Sequence, residues 1–171
     1  MGTVYQVLPP ELAQFPATAF PQMVKNAGSN FPVFGLAFDA AAIEYAYWHT
    51  RAINYGSGNL TLKLMWYADT DTSTGTSHEC MWGAAVAAIT PNSDTGTNVE
   101  TKAFGTAATA YTANGGTQVL MSTTITISSL DSIAAGDEIW LRVYRNATDG
   151  TNDDMTGDAI LVGLELSYSD T

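Results

Sequence analysis

The chain has 171 residues, 46 % hydrophobic and 13 % charged, with six basic against seventeen acidic residues and a net charge of -11. That length suits one domain with a sizeable core, its surface covered largely by Thr, Ser, Asn and Gly. So few Lys and Arg argue against partners that present phosphate, whether nucleic acid or an anionic membrane surface.

Five of the six prolines, Pro9, Pro10, Pro16, Pro21 and Pro32, fall in the first thirty-two residues. Proline fixes its own φ and has no amide hydrogen, so segment 1–32 is expected to stay out of the sheet. It is interleaved with Leu8, Leu12, Phe15, Phe20 and Phe31, too apolar for a solvated tail. The expectation is an extended arm that lies on its own domain or on a neighbouring subunit through these five side chains. Such an arm would contribute little to the fold of residues 33–171. A helical turn is predicted between Phe20 and Ala27, before Gly28. The segment has neither the basic start nor the unbroken apolar run of a secretion signal.

After the arm, β-branched and aromatic runs are separated by Gly, Asn and Asp clusters, which predicts strands at about 33–39, 43–52, 59–68, 78–89, 98–105, 119–128, 138–146 and 158–169. Alternation is clear in 59–68, where Leu60, Leu62, Leu64 and Trp66 share one face. In 158–169 it places Ile160, Val162, Leu164, Leu166 and Tyr168 opposite Leu161, Gly163, Glu165 and Ser167. Eight short strands with turn-rich links predict an all-β domain, a jelly-roll-like β-sandwich.

Little in the chain signals chemistry. Cys80, the lone cysteine, stands in an apolar run and reads as a buried inert thiol. His49 and His78 are far apart and fit no metal-ligand spacing, and no nucleophile elbow or phosphate loop occurs. Segment 149–158 carries Asp149, Asp153, Asp154 and Asp158. Calcium takes six to eight oxygen ligands, so these are weak metal candidates, but the spacing is not that of an EF-hand. The expectation is a solvated, mobile loop and no cofactor. Tyr45, Tyr47, Tyr67 and the tryptophans at 48, 66, 82 and 140 could fill a core or an interface, or form a sugar-stacking platform. In 138–145, Trp140, Arg142 and Tyr144 alternate with Ile139, Leu141 and Val143, and that outer trio has the composition of interface anchors.

The segment from Phe38 to Trp48, the 59–68 strand with Trp66-Tyr67, the strand 138–145 and the closing run from Asp158 to Glu165 resemble virion proteins of tailed phages. The resemblance spans roughly 35–168 and implies a jelly-roll-like structural domain without catalysis. It further implies a capsid cement or decoration protein, a homotrimer on the virion surface bound to the major capsid protein. On this reading the arm staples neighbouring shell subunits. The alternative is a carbohydrate- or receptor-binding module of a tail fibre, using the aromatic face.

Overall fold

The computed structural model describes residues 2–171, which form ten strands and two short 3-10 turns. The strands are β1 (Thr3–Leu8), β2 (Gln22–Asn26), β3 (Val33–Phe38), β4 (Ile43–Arg51), β5 (Leu60–Ala68), β6 (Gly75–Ile89), β7 (Ala108–Asn114), β8 (Met121–Ile127), β9 (Glu138–Asn146) and β10 (Ala159–Ser169). One sheet has six strands in the order β2-β3-β10-β5-β8, with β1 also on β10; the other has four, β4-β9-β6-β7. Every strand-to-strand pairing between them is antiparallel. The architecture is the all-β jelly-roll sandwich that the strand pattern predicts.

Period-two alternation sorts each strand into a core face and an outer face. Leu60, Leu62, Leu64 and Trp66 of β5 meet Trp48 of β4, Trp82 and Val86 of β6 and Leu141 and Val143 of β9, all buried in one cluster. Phe38 packs edge-on against Trp82 at 5.0 Å, and Trp66 lies 6.2 Å from Trp82. Each such side chain contributes about 1.5–3 kcal/mol through burial. Two of the three indoles find acceptors, Trp48 donating to the Pro9 carbonyl at 2.9 Å and Trp66 to the Thr123 hydroxyl at 2.9 Å, while Trp82 Nε1 is buried without one.

Four sequence expectations need correction. Segment 1–32 is extended but not outside the sheet. β1 pairs with β10 from Thr3↔Ser169 to Leu8↔Leu164, and β2 pairs with β3. The proline rule itself holds, since both strands fit between prolines: Pro9 and Pro10 end β1, and β2 begins after Pro21. The predicted helical turn at 20–27 is instead β2, because pairing with β3 overrides the local pattern. The strand expected at 98–105 is a loop with a 3-10 turn at Val99–Thr101, and the strand that follows β6 is instead β7, which pairs with β6 on the side away from β9. Finally, the alternation of β10 is broken between Leu161 and Gly163 by a bulge. Leu161 therefore faces the core together with Leu164, Leu166 and Tyr168, while Ile160 faces out with Tyr67 and Ala37. A bulge inserts one extra residue and so flips every side chain beyond it. It sits where β10 changes neighbours, from β3 (to Leu161) to β1 (from Leu164).

Candidate functional site: an aromatic cleft on the four-stranded sheet

On β9, Trp140, Arg142 and Tyr144 point outward and Ile139, Leu141 and Val143 inward, as the alternation predicts. Register then brings the outer residues of three strands side by side. His49 lies opposite Trp140, Tyr47 opposite Arg142 and Tyr45 opposite Tyr144. On the other flank Ala87, Ala85 and Gly83 of β6 lie opposite the same three. Large β9 side chains therefore stand beside a column of very small ones. The Tyr144 ring fills the space above Gly83, where even a Cβ would come 2.1 Å from its Cζ. Ala85 and Ala87 are buried although they belong to the outer face.

The cover over this column comes partly from the loop joining β6 to β7. The Gly105 amide donates to the Val86 carbonyl at 2.9 Å, which fixes the loop against the sheet. Phe104 then reaches across to 5.8 Å from the Tyr47 ring and 4.8 Å from the Arg142 guanidinium. Lys102 is held by Asp131 at 2.9 Å, and the Thr106 amide by the Ser129 hydroxyl.

A cleft of about 290 Å³ remains between loop and sheet. Ala87 lies at its floor, Tyr47, Trp140 and Phe104 form aromatic walls, and Glu100 and Lys102 add polar groups. Gln14, Phe15 and Pro16 form the remaining wall. They are placed by a bridge in which Gln14 and Tyr47 exchange both backbone hydrogen bonds, at 2.8 and 2.9 Å. The proline-rich segment thus contributes to the site as well as to the fold. Trp140 is oriented by stacking on His49 at 4.6 Å, and His49 in turn contacts Glu138 at 2.9 Å. Burial raises the hydroxyl pKa of Tyr47 and Tyr144, partly offset by the positive Arg142, so both remain neutral hydrogen-bonding groups near pH 7.

The other expected contact residues scatter. Leu8 is in the core, and Phe15 and Phe20 are half-buried with their rings 5.7 Å apart. Leu12 and Phe31 are exposed, and Phe31 lines a second, mostly apolar hollow of about 580 Å³ with Val33, Tyr67, Leu120 and Val162 on the six-stranded sheet. Trp48, Trp66 and Trp82 are core residues, which leaves Trp140 as the tryptophan on the outer face.

The acidic segment is not the solvated loop expected from its sequence. Arg145 on the inner side of β9 is fully buried and forks onto Asp153, Nε to Oδ2 at 2.9 Å and Nη2 to Oδ1 at 2.8 Å. Its remaining donors meet the Gly157 and Met155 carbonyls, both at 2.8 Å. Asp153 also accepts the Met81 amide, Asp154 the Glu79 amide, and Asp158 the Ala40 amide. Asp149 accepts the Thr151 and Asn152 amides within its own turn, which holds its carboxyl below the usual range. The four carboxylates therefore serve separate donors, and among the described residues no three acidic, His or Cys side chains converge as a metal site. Burial pulls the Arg145 pKa down, but its bond to Asp153 outweighs this and keeps the guanidinium charged. Cys80 is buried beneath this cluster, and desolvation raises its thiol pKa strongly, as expected for an inert sulfur.

No family model matches the chain, and no curated protein matches it in sequence. Solved structures do resemble it. The paired carbohydrate-binding and catalytic modules of a Clostridium thermocellum endo-1,4-β-xylanase, complexed with xylohexaose, superpose with a TM-score of 0.51 at 14 % identity. The match covers 97 % of this chain and 28 % of that one. A family 11 carbohydrate-binding module from the same organism, complexed with a β-1,3-1,4-mixed-linked tetrasaccharide, gives 0.46 at 7 % identity over 95 % of this chain and 87 % of that one. A family 29 carbohydrate-binding module from Piromyces equi gives 0.43 at 12 % identity, covering 99 % and 93 %. At these identities the likeness bears on the fold alone, and it adds nothing to the phage resemblance.

Proposed function

We propose that the protein is a non-catalytic carbohydrate-binding module whose site is the aromatic cleft on the four-stranded sheet. The observation that carries this is the cleft's lining: aromatic walls from Phe15, Tyr47, Phe104 and Trp140 around a floor at Ala87, with Gln14, Glu100 and Lys102 among its lining groups. A sugar ring has an apolar C–H face and a rim of hydroxyls. Aromatic rings cover the first, and amide, carboxylate and ammonium groups meet the second. The cleft lies at the low end of the size range for small-ligand sites, which suits a short stretch of saccharide. Its lining holds a single carboxylate, Glu100, and no second carboxylate or histidine to share acid–base work, and binding without turnover is the reading.

The test is a glycan array probed with the full chain, followed by calorimetry on its hits. Binding should fall at least about tenfold in Trp140→Ala while the melting temperature stays within a few degrees. Absence of binding to every glycan at millimolar concentration overturns the reading.

A second reading, a virion subunit that associates with copies of itself and with the shell, draws support from one observation. The outer face of the six-stranded sheet is apolar across Val24, Val33, Ala37, Tyr67, Ile160 and Val162. Phe31 and Leu120 stand exposed beside it. Copies meeting there would exclude this surface from water, which is the behaviour expected of a patch of this kind. Light scattering tests it: a concentration-independent monomer removes the reading, and an oligomer that dissociates in Phe31→Ser supports it. The two readings are compatible in a receptor-binding module carried on a virion.

A further inference from the structure

We infer that the saccharide recognised by the aromatic face carries an anionic group, a uronate carboxylate or a sulfate ester, and that Arg142 is the residue that selects it. This rests on the carbohydrate-binding reading above and names the ligand's charge class.

The motive is an imbalance among the cations. Arg51, Lys102 and Arg145 each have a carboxylate within salt-bridge distance. Among the described residues Lys25, Lys63 and Arg142 have none; both lysines are exposed to water, whereas Arg142 is half-buried, in a chain where acidic residues outnumber basic ones by seventeen to six. Its guanidinium lies 4.8 Å from the Phe104 ring centroid, 5.7 Å from Tyr45 and 5.9 Å from Tyr144. Those ring faces attract the charge but accept none of its N–H groups in the ordinary sense. Nε is buried without a hydrogen-bond partner. Among the described residues the two Nη groups have no hydrogen-bond acceptor, and they are not among the buried unpartnered atoms, so they face solvent. A planar fork with unused donors matches the two oxygens of a carboxylate or sulfate.

Position ties this fork to the cleft. Arg142 sits between Trp140 and Tyr144 on β9, across from Tyr47, and Phe104 touches both the cleft and the guanidinium. Arg142 itself does not line the cleft, so the anionic group it selects belongs to a substituent or neighbouring ring that extends past Phe104. The one opposing charge in the lining is Glu100, which is exposed and therefore screened, whereas Arg142 is half-buried and its field is less diluted. Lys102, with its charge already taken up by Asp131, adds little.

The experiment uses the full chain on matched glycan pairs: polygalacturonate with its methyl-esterified form, and a sulfated galactan with its desulfated form. Wild-type protein should bind at least one acidic member about tenfold more tightly than its neutral counterpart, and more weakly as salt rises. Arg142→Met should erase that preference while retaining neutral-glycan binding, and Arg142→Lys should keep part of the salt dependence without the full affinity. The uronate and sulfate arms identify the anion. Neutral glycans bound as tightly as acidic ones in wild type, with loss only in Trp140→Ala, overturn this inference and leave the carbohydrate-binding reading intact. An acidic preference unchanged in Arg142→Met also overturns it, and binding to no glycan overturns both.

Discussion

Arg142 and Arg145 are three residues apart on β9 and could hardly be in more different surroundings. Arg145 points into the sandwich, where the Asp153 carboxylate and the carbonyls of Met155 and Gly157 satisfy its guanidinium. Arg142 points out, against Phe104, Tyr45 and Tyr144, with no acid beside it and one nitrogen buried and unbonded. A buried charge costs several kcal/mol to desolvate, so it persists only when its partners are complete. The inner arginine therefore belongs to the fold: it closes the segment between β9 and β10 onto β6. The outer one lacks that closure, and its donors are available to something outside the chain. Satisfied and unsatisfied hydrogen-bonding capacity thus sets the two arginines apart.

The core and the outer cleft both draw on segment 1–32, so its removal gives the largest expected effect. Pro9 accepts the Trp48 indole of the core, β1 covers an edge of β10, and Gln14 to Pro16 wall the outer cleft. A chain beginning at Val33 would expose the β10 backbone edge and leave the buried Trp48 donor unpaired. It is expected to be insoluble or to melt without cooperativity, as read by circular dichroism. A soluble product with a sharp transition would show that β1 and β2 are accessory to the sandwich.

Next in size is the contrast between the two arginines. Arg145→Met strands the buried Asp153 carboxylate and should cost about 3–5 kcal/mol. In a chain of this length that lowers the melting temperature by on the order of 10 °C. Adding Asp153→Leu should recover part of the loss, because no uncompensated charge then remains. Arg142→Met gives up only ring contacts, and a loss below about 1 kcal/mol is expected. Equal losses from the two single substitutions would erase the distinction between them.

The sequence disclosed this contrast unevenly. The outward trio of Trp140, Arg142 and Tyr144 was readable because strict alternation runs unbroken through β9. The sandwich was readable for the same reason in β5, and the bulge in β10 was not, since Val162 looks like any other apolar position. Pairing of β1 with β10 joins residues more than 150 apart, such as Leu8 and Leu164, and no local pattern reports that. Tyr5 and Val7 alternating with Val4, Gln6 and Leu8 were the available signal, obscured by the prolines that follow. Arg145 adjoins the outward trio in sequence, and nothing local reveals that its partner is Asp153, eight residues on in an apparently solvated loop. The cleft itself was illegible because its walls come from residues 14–16, 47, 99–104 and 140, brought together only by register and by the excursion of the β6–β7 loop.

The smallest expected effect concerns pH and the carboxylates around the inner arginine. Burial raises the pKa of Glu44 and of Asp158, helped by the nearby Asp39 and only partly countered by Arg145 and by backbone amides. A carboxyl raised on folding binds its proton more readily in the folded state, so stability grows as pH falls from neutrality through the raised values towards the ordinary one, about 4. Asp71 behaves oppositely. Burial raises it, but the Ser73 and Thr156 amides and His78, at 3.2 Å, outweigh this and depress its pKa. Its contribution is complete above the unfolded carboxylate value and is lost as pH falls through the lower folded one. Together these place the stability maximum at mildly acidic pH, with a decline on further acidification. Glu44→Gln should flatten the rise between pH 7 and pH 5, and Asp71→Asn should lower the whole curve while weakening the acid-side decline. Melting temperatures across that range provide the check: a steady fall from pH 7 downward in the wild-type chain would mean that the Glu44–Asp158 end is better solvated than its packing indicates, and that the inner charge network is less closed than the contrast with Arg142 requires.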